Sequence, residues 1–267
     1  MMESVPHAGK NAGISVVITT CDEEEYIVEC LESVAWADEI VIVDLESTDS
    51  TVEKCRRFTD IVFTHPRVPV VELVRQFGIE KATREWVLVL DPDERVPADL
   101  AKTLRALAGQ DGARAYQIPC ATWMFGRQIR HGGWGIARHI RFFRSGAVRW
   151  PSEVHARPEV EGALESVPES SGVLQHNNYR DISHFLQKLN RYTDMEAVRL
   201  RERQRPFHWL KLFYQPGKEF YAHFIKHRGF KDGVVGLFLA LLMAFYTQVS
   251  YMKLWEIYDR ESRGEKT

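Results

Sequence analysis

Three carboxylates within four positions close the run Trp86-Val-Leu-Val-Leu-Asp91-Pro-Asp93-Glu94. Asp91 and Asp93 stand one residue apart, so their charges repel, and a divalent cation removes that repulsion. Hard oxygen donors favour Mg²⁺ or Mn²⁺, which keep coordination positions open for the phosphates of a substrate. An acidic turn capping the next helix would use the same residues; the place of this pair in the chain favours the cation. Further on, His131-Gly-Gly-Trp134-Gly sets two glycines beside an indole. That pattern fits a backbone drawn close to a ligand with Trp134 as a stacking floor, or equally a plain hairpin turn.

The elements that must position these groups follow from the apolar pattern. Trp86–Leu90 is a short continuous run, which reads as a strand buried on both faces, and Pro92 ends its ladder. Asp91 and Asp93 therefore fall at the carboxyl end of a central strand, where open α/β sheets take ligands. Ile14–Thr20, Glu39–Val43 and Asp60–Thr64 read as further strands. Helices are expected after Asp22-Glu-Glu-Glu25, after the possible caps in Ser47-Thr-Asp-Ser-Thr51, and from Val71 to Ala82. Alternation of strand and helix predicts a parallel sheet with right-handed crossovers. Neither a Gly-x-Gly-x-x-Gly turn nor a Gly-Lys-Ser/Thr loop is present, so the dinucleotide and P-loop routes to nucleotide binding are disfavoured.

After a helix near 97–108, strands are expected over Ala113–Phe125 and Arg138–Phe143, then Trp150-Pro-Ser-Glu153-Val-His155, a Gly/Pro/Glu-rich stretch, and His176. From Asp181 the chain reads as helical and basic. Residues 180–231 hold twelve Lys/Arg against five Asp/Glu, a local +7 in a chain of net charge −2. That asymmetry fits an anionic partner but not bulk nucleic-acid binding. Gly233–Met252 is twenty residues without a charge, long enough to span a bilayer, to lie in its interface or to pack on the protein. The four cysteines form no Cys-x-x-Cys or zinc spacing and read as reduced thiols of a cytosolic protein. The polar N-terminus does not read as a secretory signal. The expected divisions are a lead-in over 1–12, a catalytic domain over 13–178 and a basic helical region over 179–267.

In order, these pieces resemble family 2 glycosyltransferases of the GT-A fold, nearest the bacterial lipopolysaccharide-core β-1,4-glucosyltransferase branch. The resemblance rests on Ile14-Ser-Val-Val-Ile-Thr-Thr with Asp22-Glu23, Ala37-Asp-Glu-Ile-Val-Ile-Val-Asp44 with Ser47-Thr-Asp49-Ser-Thr, and Trp86–Arg95. It continues through Arg130-His-Gly-Gly-Trp134, Arg141-Phe-Phe-Arg144, Lys188-Leu-Asn-Arg-Tyr192 and Gly229-Phe-Lys-Asp-Gly233. It implies an α/β GT-A nucleotide-sugar-binding fold, a mostly parallel central sheet, and a C-terminal helical appendage at the inner face of the cytoplasmic membrane. The activity implied is metal-assisted, inverting transfer of a sugar, glucose from UDP-glucose, to a lipopolysaccharide-core or other glycolipid acceptor.

The same resemblance places Thr20, Glu23 and Asp44 in the nucleotide pocket and Arg75 at the base or diphosphate. Asp91 and Asp93 would hold Mg²⁺ or Mn²⁺, with His176 as a further ligand or a structural histidine. Trp134 would line the sugar and acceptor side. Two departures stand out: Asp22-Glu23 replaces the usual Asn-Glu, and Val154-His155-Ala156 lacks the glutamate that relatives carry as presumed base. Glu153 and His155 are the nearest substitutes, though a strand points both away from the face of Ala156. Transfer to polyprenyl phosphate, or non-catalytic nucleotide-sugar binding, are the alternatives this gap leaves open.

Overall fold

Continuous β-branched runs build the centre of the fold, and the computed structural model describes residues 11–68, 71–151 and 158–264. The elements are β1 (Asn11–Thr20), α1 (Ile27–Ser33), β2 (Glu39–Asp44), α2 (Thr51–Cys55), β3 (Val62–Thr64), α3 (Glu72–Lys81), β4 (Arg84–Leu90), β5 (Glu94–Arg95) and α4 (Ala98–Ala108). There follow β6 (Ala115–Met124), β7 (Arg127–Gln128), β8 (Ala137–Arg144), β9 (Val148–Arg149), β10 (Glu159–Val160), β11 (Leu164–Ser166) and β12 (Leu174–Tyr179). Three further helices follow: the long α5 (Ile182–Glu202), the short α6 (Lys211–Phe220) and the long α7 (Gly233–Ser262). Glu153, His155 and Ala156 lie outside the described residues.

The main sheet runs β3-β2-β1-β4-β8-β6-β12-β5. Its first four strands are parallel, as strand–helix alternation requires, whereas β8 is antiparallel to both β4 and β6. The sheet is therefore mixed in its second half, where the β6–β7 hairpin leads back into antiparallel β8. On β1, Ile14, Val16 and Ile18 pack with α1 and α4 residues, while Val17 packs on the opposite face with Ile79 of α3. Both faces are thus covered, which explains the unbroken apolar strands. Gly78 lets α3 sit against the sheet: an added Cβ there would lie 2.8 Å from Val17 Cγ1 and 3.0 Å from Val43 Cγ2.

Parallel register then aligns the strand ends. Thr20 stands opposite Asp44, and Ile18 opposite Leu90, so Thr20, Asp44 and Asp91 reach one edge of the sheet. The expected helix from Ser47 forms only over Thr51–Cys55, and its N-cap, Ser50, makes no side-chain capping bond. Asp49 Oδ1 accepts from Thr51 N at 2.9 Å, and the polar residues here otherwise bind the neighbouring loop. Ser47 Oγ accepts from Asp22 N, Thr51 Oγ1 from Glu23 N and Asp49 Oδ2 from Glu24 N. The loops after β1 and β2 are stitched together at the edge where the carboxylates gather.

The chain divides into two compact units, residues 1–120 with 137–176, and residues 121–136 with 177–267. In the second, β6 turns into β7 through Phe125 and Gly126, both at positive φ (54° and 73°). This two-residue turn is the hairpin. The His131-Gly-Gly-Trp134 loop comes after it and docks on the segment before α7. Gly132 N donates to His227 O at 2.9 Å, and Asp232 Oδ2 accepts from His131 N at 2.8 Å. Asp181 caps α5 by accepting from His184 N at 2.8 Å.

Candidate active site

Asp91 follows β4 directly, and its carboxylate is held between two arginines. Arg75 Nη2 of α3 donates to Oδ1 at 2.7 Å and Arg141 Nη2 of β8 to Oδ2 at 2.8 Å. Arg141 Nη2 also reaches Glu94 Oε1 at 2.7 Å, and Glu94 Oε2 accepts from Asp91 N at 2.9 Å. Both arginines and Glu94 are buried. Burial alone would raise the Asp91 pKa, but the two guanidinium groups hold it well below the usual carboxylate range. For Glu94, burial dominates and raises the pKa, with the Asp91 charge adding to it against Arg141.

Asp93 turns to a different partner. Its Oδ2 lies 3.3 Å from His176 Nε2 on β12, while His176 stands opposite Glu94 across the β12–β5 pair. Burial lowers the affinity of His176 for a proton, yet the hydrogen bond and charge of Asp93, helped by Glu94 and Asp91, raise its pKa overall. An oxygen and an imidazole nitrogen at this spacing form a donor pair suited to a divalent cation. Glu94, Cys120 and His176 also have potential ligand atoms within 4.8 Å of one another. Both Glu94 oxygens are already engaged, however, and burial pushes the Cys120 thiol up to about 12. Asp93 and His176 are therefore the residues that fit a cation, with Asp91 as their arginine-bound neighbour.

The other expected nucleotide contacts occupy the same sheet edge. Asp44 is buried at the end of β2 and its carboxylate accepts from Ser47 N at 3.1 Å. Thr20 is buried beside it, with no hydrogen-bond partner for its hydroxyl among the described residues. Glu23 is half-buried in the loop that Thr51 anchors. Arg75 carries its guanidinium 5.2 Å from the Trp150 ring centroid. The structure thus brings Thr20, Asp44, Arg75, Asp91, Asp93 and His176 into one unit. Trp134 belongs to the second unit, where its ring stacks on His223 at 4.7 Å and His223 Nδ1 lies 2.6 Å from Gly132 O. One indole face is already covered, and the glycine pair serves a close approach within the protein: Gly132 Cα lies where an added Cβ would meet Trp134 and Gly229.

Arg141 and Glu94 are the members that sequence reasoning did not single out. The signal for Arg141 is a lone cation in Ile140-Arg141-Phe142-Phe143, since a charge in a buried strand needs a buried partner. Glu94 gave no such signal, because it reads as the last of three acidic turn residues.

A doubly covered sheet whose parallel half ends in an acidic, arginine-braced edge defines a GT-A nucleotide-sugar transferase. The chain belongs to glycosyl transferase family 2, whose model matches residues 15–158. It is a nucleotide-sugar-dependent glycosyltransferase. It is similar to the lipopolysaccharide core biosynthesis glycosyltransferase LpsC of Rhizobium meliloti, 24% identical over 94% of this chain and 94% of that one. An uncharacterized glycosyltransferase of Rickettsia typhi is 26% identical over 91% of this chain and 87% of its own length. Among solved structures, S. aureus TarS 1–349 in complex with UDP-GlcNAc covers 94% of this chain and 92% of that chain, with 14% identity and a TM-score of 0.48.

Proposed function

We propose that this protein is an inverting transferase that moves a sugar, glucose from UDP-glucose, onto a lipopolysaccharide-core or other glycolipid acceptor at the inner face of the cytoplasmic membrane. The observation that carries the reading is the cluster at the sheet edge: Asp93 paired with His176, and Asp91 braced by Arg75 and Arg141. The likeness to a lipopolysaccharide-core enzyme over nearly the whole chain supports the acceptor class. Asp44, Thr20 and Glu23 hold the base and ribose, and Arg75 with Arg141 sets the charge facing the diphosphate. Asp93 and His176 hold Mg²⁺ or Mn²⁺, which when bound would offset the charge gained by the departing diphosphate. The C-terminal region, residues 179–267, serves as the membrane-facing part.

Inversion requires a base on the face opposite the departing nucleotide, within about 3 Å of the acceptor hydroxyl. Glu153 is our first assignment and His155 the second, because Ala156 stands where relatives carry glutamate. Glu153→Gln removes basicity with little change of shape, so turnover should fall at least about 10²-fold while UDP affinity holds. Loss only in His155→Ala moves the role to that imidazole. If neither variant loses turnover, the acceptor is a polyprenyl phosphate, whose oxyanion needs no strong base.

The donor site is tested by titrating UDP with Mn²⁺. Asp93→Ala should abolish cation-dependent binding while the far-UV spectrum and melting profile stay native. Wild-type affinity in that variant would move the cation elsewhere and sink the assignment.

A further inference from the structure

Aromatic side chains crowd α6 and the turns on either side of it. No residue of α6 is buried. Trp209, Phe213 and Tyr214 are 66%, 67% and 70% exposed, and Leu210, Tyr221 and Ile225 are exposed beside them. Residues 210, 213, 214 and 221 recur at helical spacing, so they share one face. The start of that face is fixed in place: Tyr251 of α7 donates to Pro206 O and accepts from His208 N.

α7 packs along α6 and α5 in the same unit, and it is apolar on two sides. Gly236, Leu239, Ala240, Tyr251 and Leu254 are buried, while Val234, Phe238, Leu241, Phe245 and Met252 form an exposed stripe at helical spacing. A helix with one face committed to protein, and with Lys253 held by Asn190 and Asp194 of α5, is not a free-standing span. Bare apolar surface of this kind marks an interaction site.

Charge selects the occupant. Residues 203–231 carry seven Lys/Arg and one acidic residue, Glu219. Lys211 and Lys218 flank the aromatic face of α6. Apolar rings in the middle with cations at the border match the boundary between headgroups and acyl chains in an anionic bilayer. A second copy of this chain would bring the same cations face to face across a two-fold axis, which opposes that occupant.

We propose that the α6 face, continued by the outer stripe of α7, is the surface that docks this protein in the plane of an anionic membrane without crossing it. The proposal deepens the reading of a glycolipid acceptor by naming how the protein reaches its substrate's surface.

The test uses the full chain with vesicles of phosphatidylcholine, with and without phosphatidylglycerol. Wild type should sediment with the anionic vesicles, shift its tryptophan emission to the blue, and be released by alkaline carbonate. The combined variant Trp209→Ser, Phe213→Ser, Tyr214→Ser alters only exposed side chains and should weaken vesicle binding at least about tenfold. Lys211→Gln with Lys218→Gln should reduce the preference for phosphatidylglycerol. UDP affinity measured on the same samples should be unchanged in every case. Vesicle binding at wild-type strength in the serine variant overturns the proposal, as does resistance to carbonate. A concentration-dependent dimer that the serine variant abolishes, with no vesicle binding, assigns the face to a second copy instead. Loss of UDP binding in wild type with vesicle binding intact would count against the transferase reading alone.

Discussion

Asp91 and Asp93 stand one residue apart and take different partners. Asp91 faces Arg75 and Arg141, whereas Asp93 faces His176. Arg141 is the shared counter-ion of Asp91 and Glu94, so its removal leaves Asp91 to Arg75 alone and strands the buried Glu94 carboxylate. Arg141→Met should therefore destabilise the protein by about 3–5 kcal/mol in urea unfolding, the range for breaking a buried pair. Much of the loss should return when Glu94→Gln is added, because that change removes the stranded charge. A stability change within error for Arg141→Met alone would mean the cluster is not held as described.

Element packing sets where those side chains stand. Gly78 brings α3 close enough for Arg75 to reach Asp91, and an added Cβ would press on Val17 and Val43. Gly78→Ala should cost about 1–3 kcal/mol by overpacking and weaken UDP binding by tilting Arg75 away. Calorimetry of UDP binding alongside denaturant melts checks both halves.

A second element contact carries a pH signature. Asp38 accepts from Ile14 N and from Arg105 of α4, each within 2.8 Å. Partial burial raises its pKa, but these two donors more than offset that and leave it below 3.8. A depressed carboxylate adds stability above its unfolded value and loses it as pH falls through the folded one. The stability gap between wild type and Asp38→Asn should be full at neutral pH and shrink only below about pH 4. A gap that stays constant down to pH 2 would contradict this.

Across the whole molecule, no disulfide joins the four cysteines, and three of them, Cys30, Cys55 and Cys120, are buried. Burial raises all three thiols, Cys55 and Cys120 to about 12, so they stay protonated at neutral pH. Native protein should show one fast thiol toward a disulfide reagent, Cys21, and four after unfolding. Blocking by Cys21→Ser should remove the fast phase. Donor binding and vesicle docking draw on different residues, so Asp93→Ala should leave phosphatidylglycerol binding unchanged.

The sequence alone determined the parallel half of the sheet, because strands covered on both faces must be continuously apolar and their crossovers must be helices. It also located Asp91 and Asp93, since the apolar run ends directly at them and Pro92 has no N–H to carry its ladder on. The tertiary structure decided the rest. Antiparallel β8 brings Arg141 across to Asp91, a partner 50 residues away that no local spacing encodes. Ser47 and Thr51 look like helix caps in isolation, and only the fold shows their side chains spent on the loop at 22–24, with Asp49 shared between that loop and Thr51 N. In the same way, the uncharged run at 233–252 reads alike for a span, an interface helix or a core helix. Apolar residues lie on both sides of α7, so periodicity cannot separate the face that α5 and α6 cover from the face left bare; that difference exists only once the helices have packed.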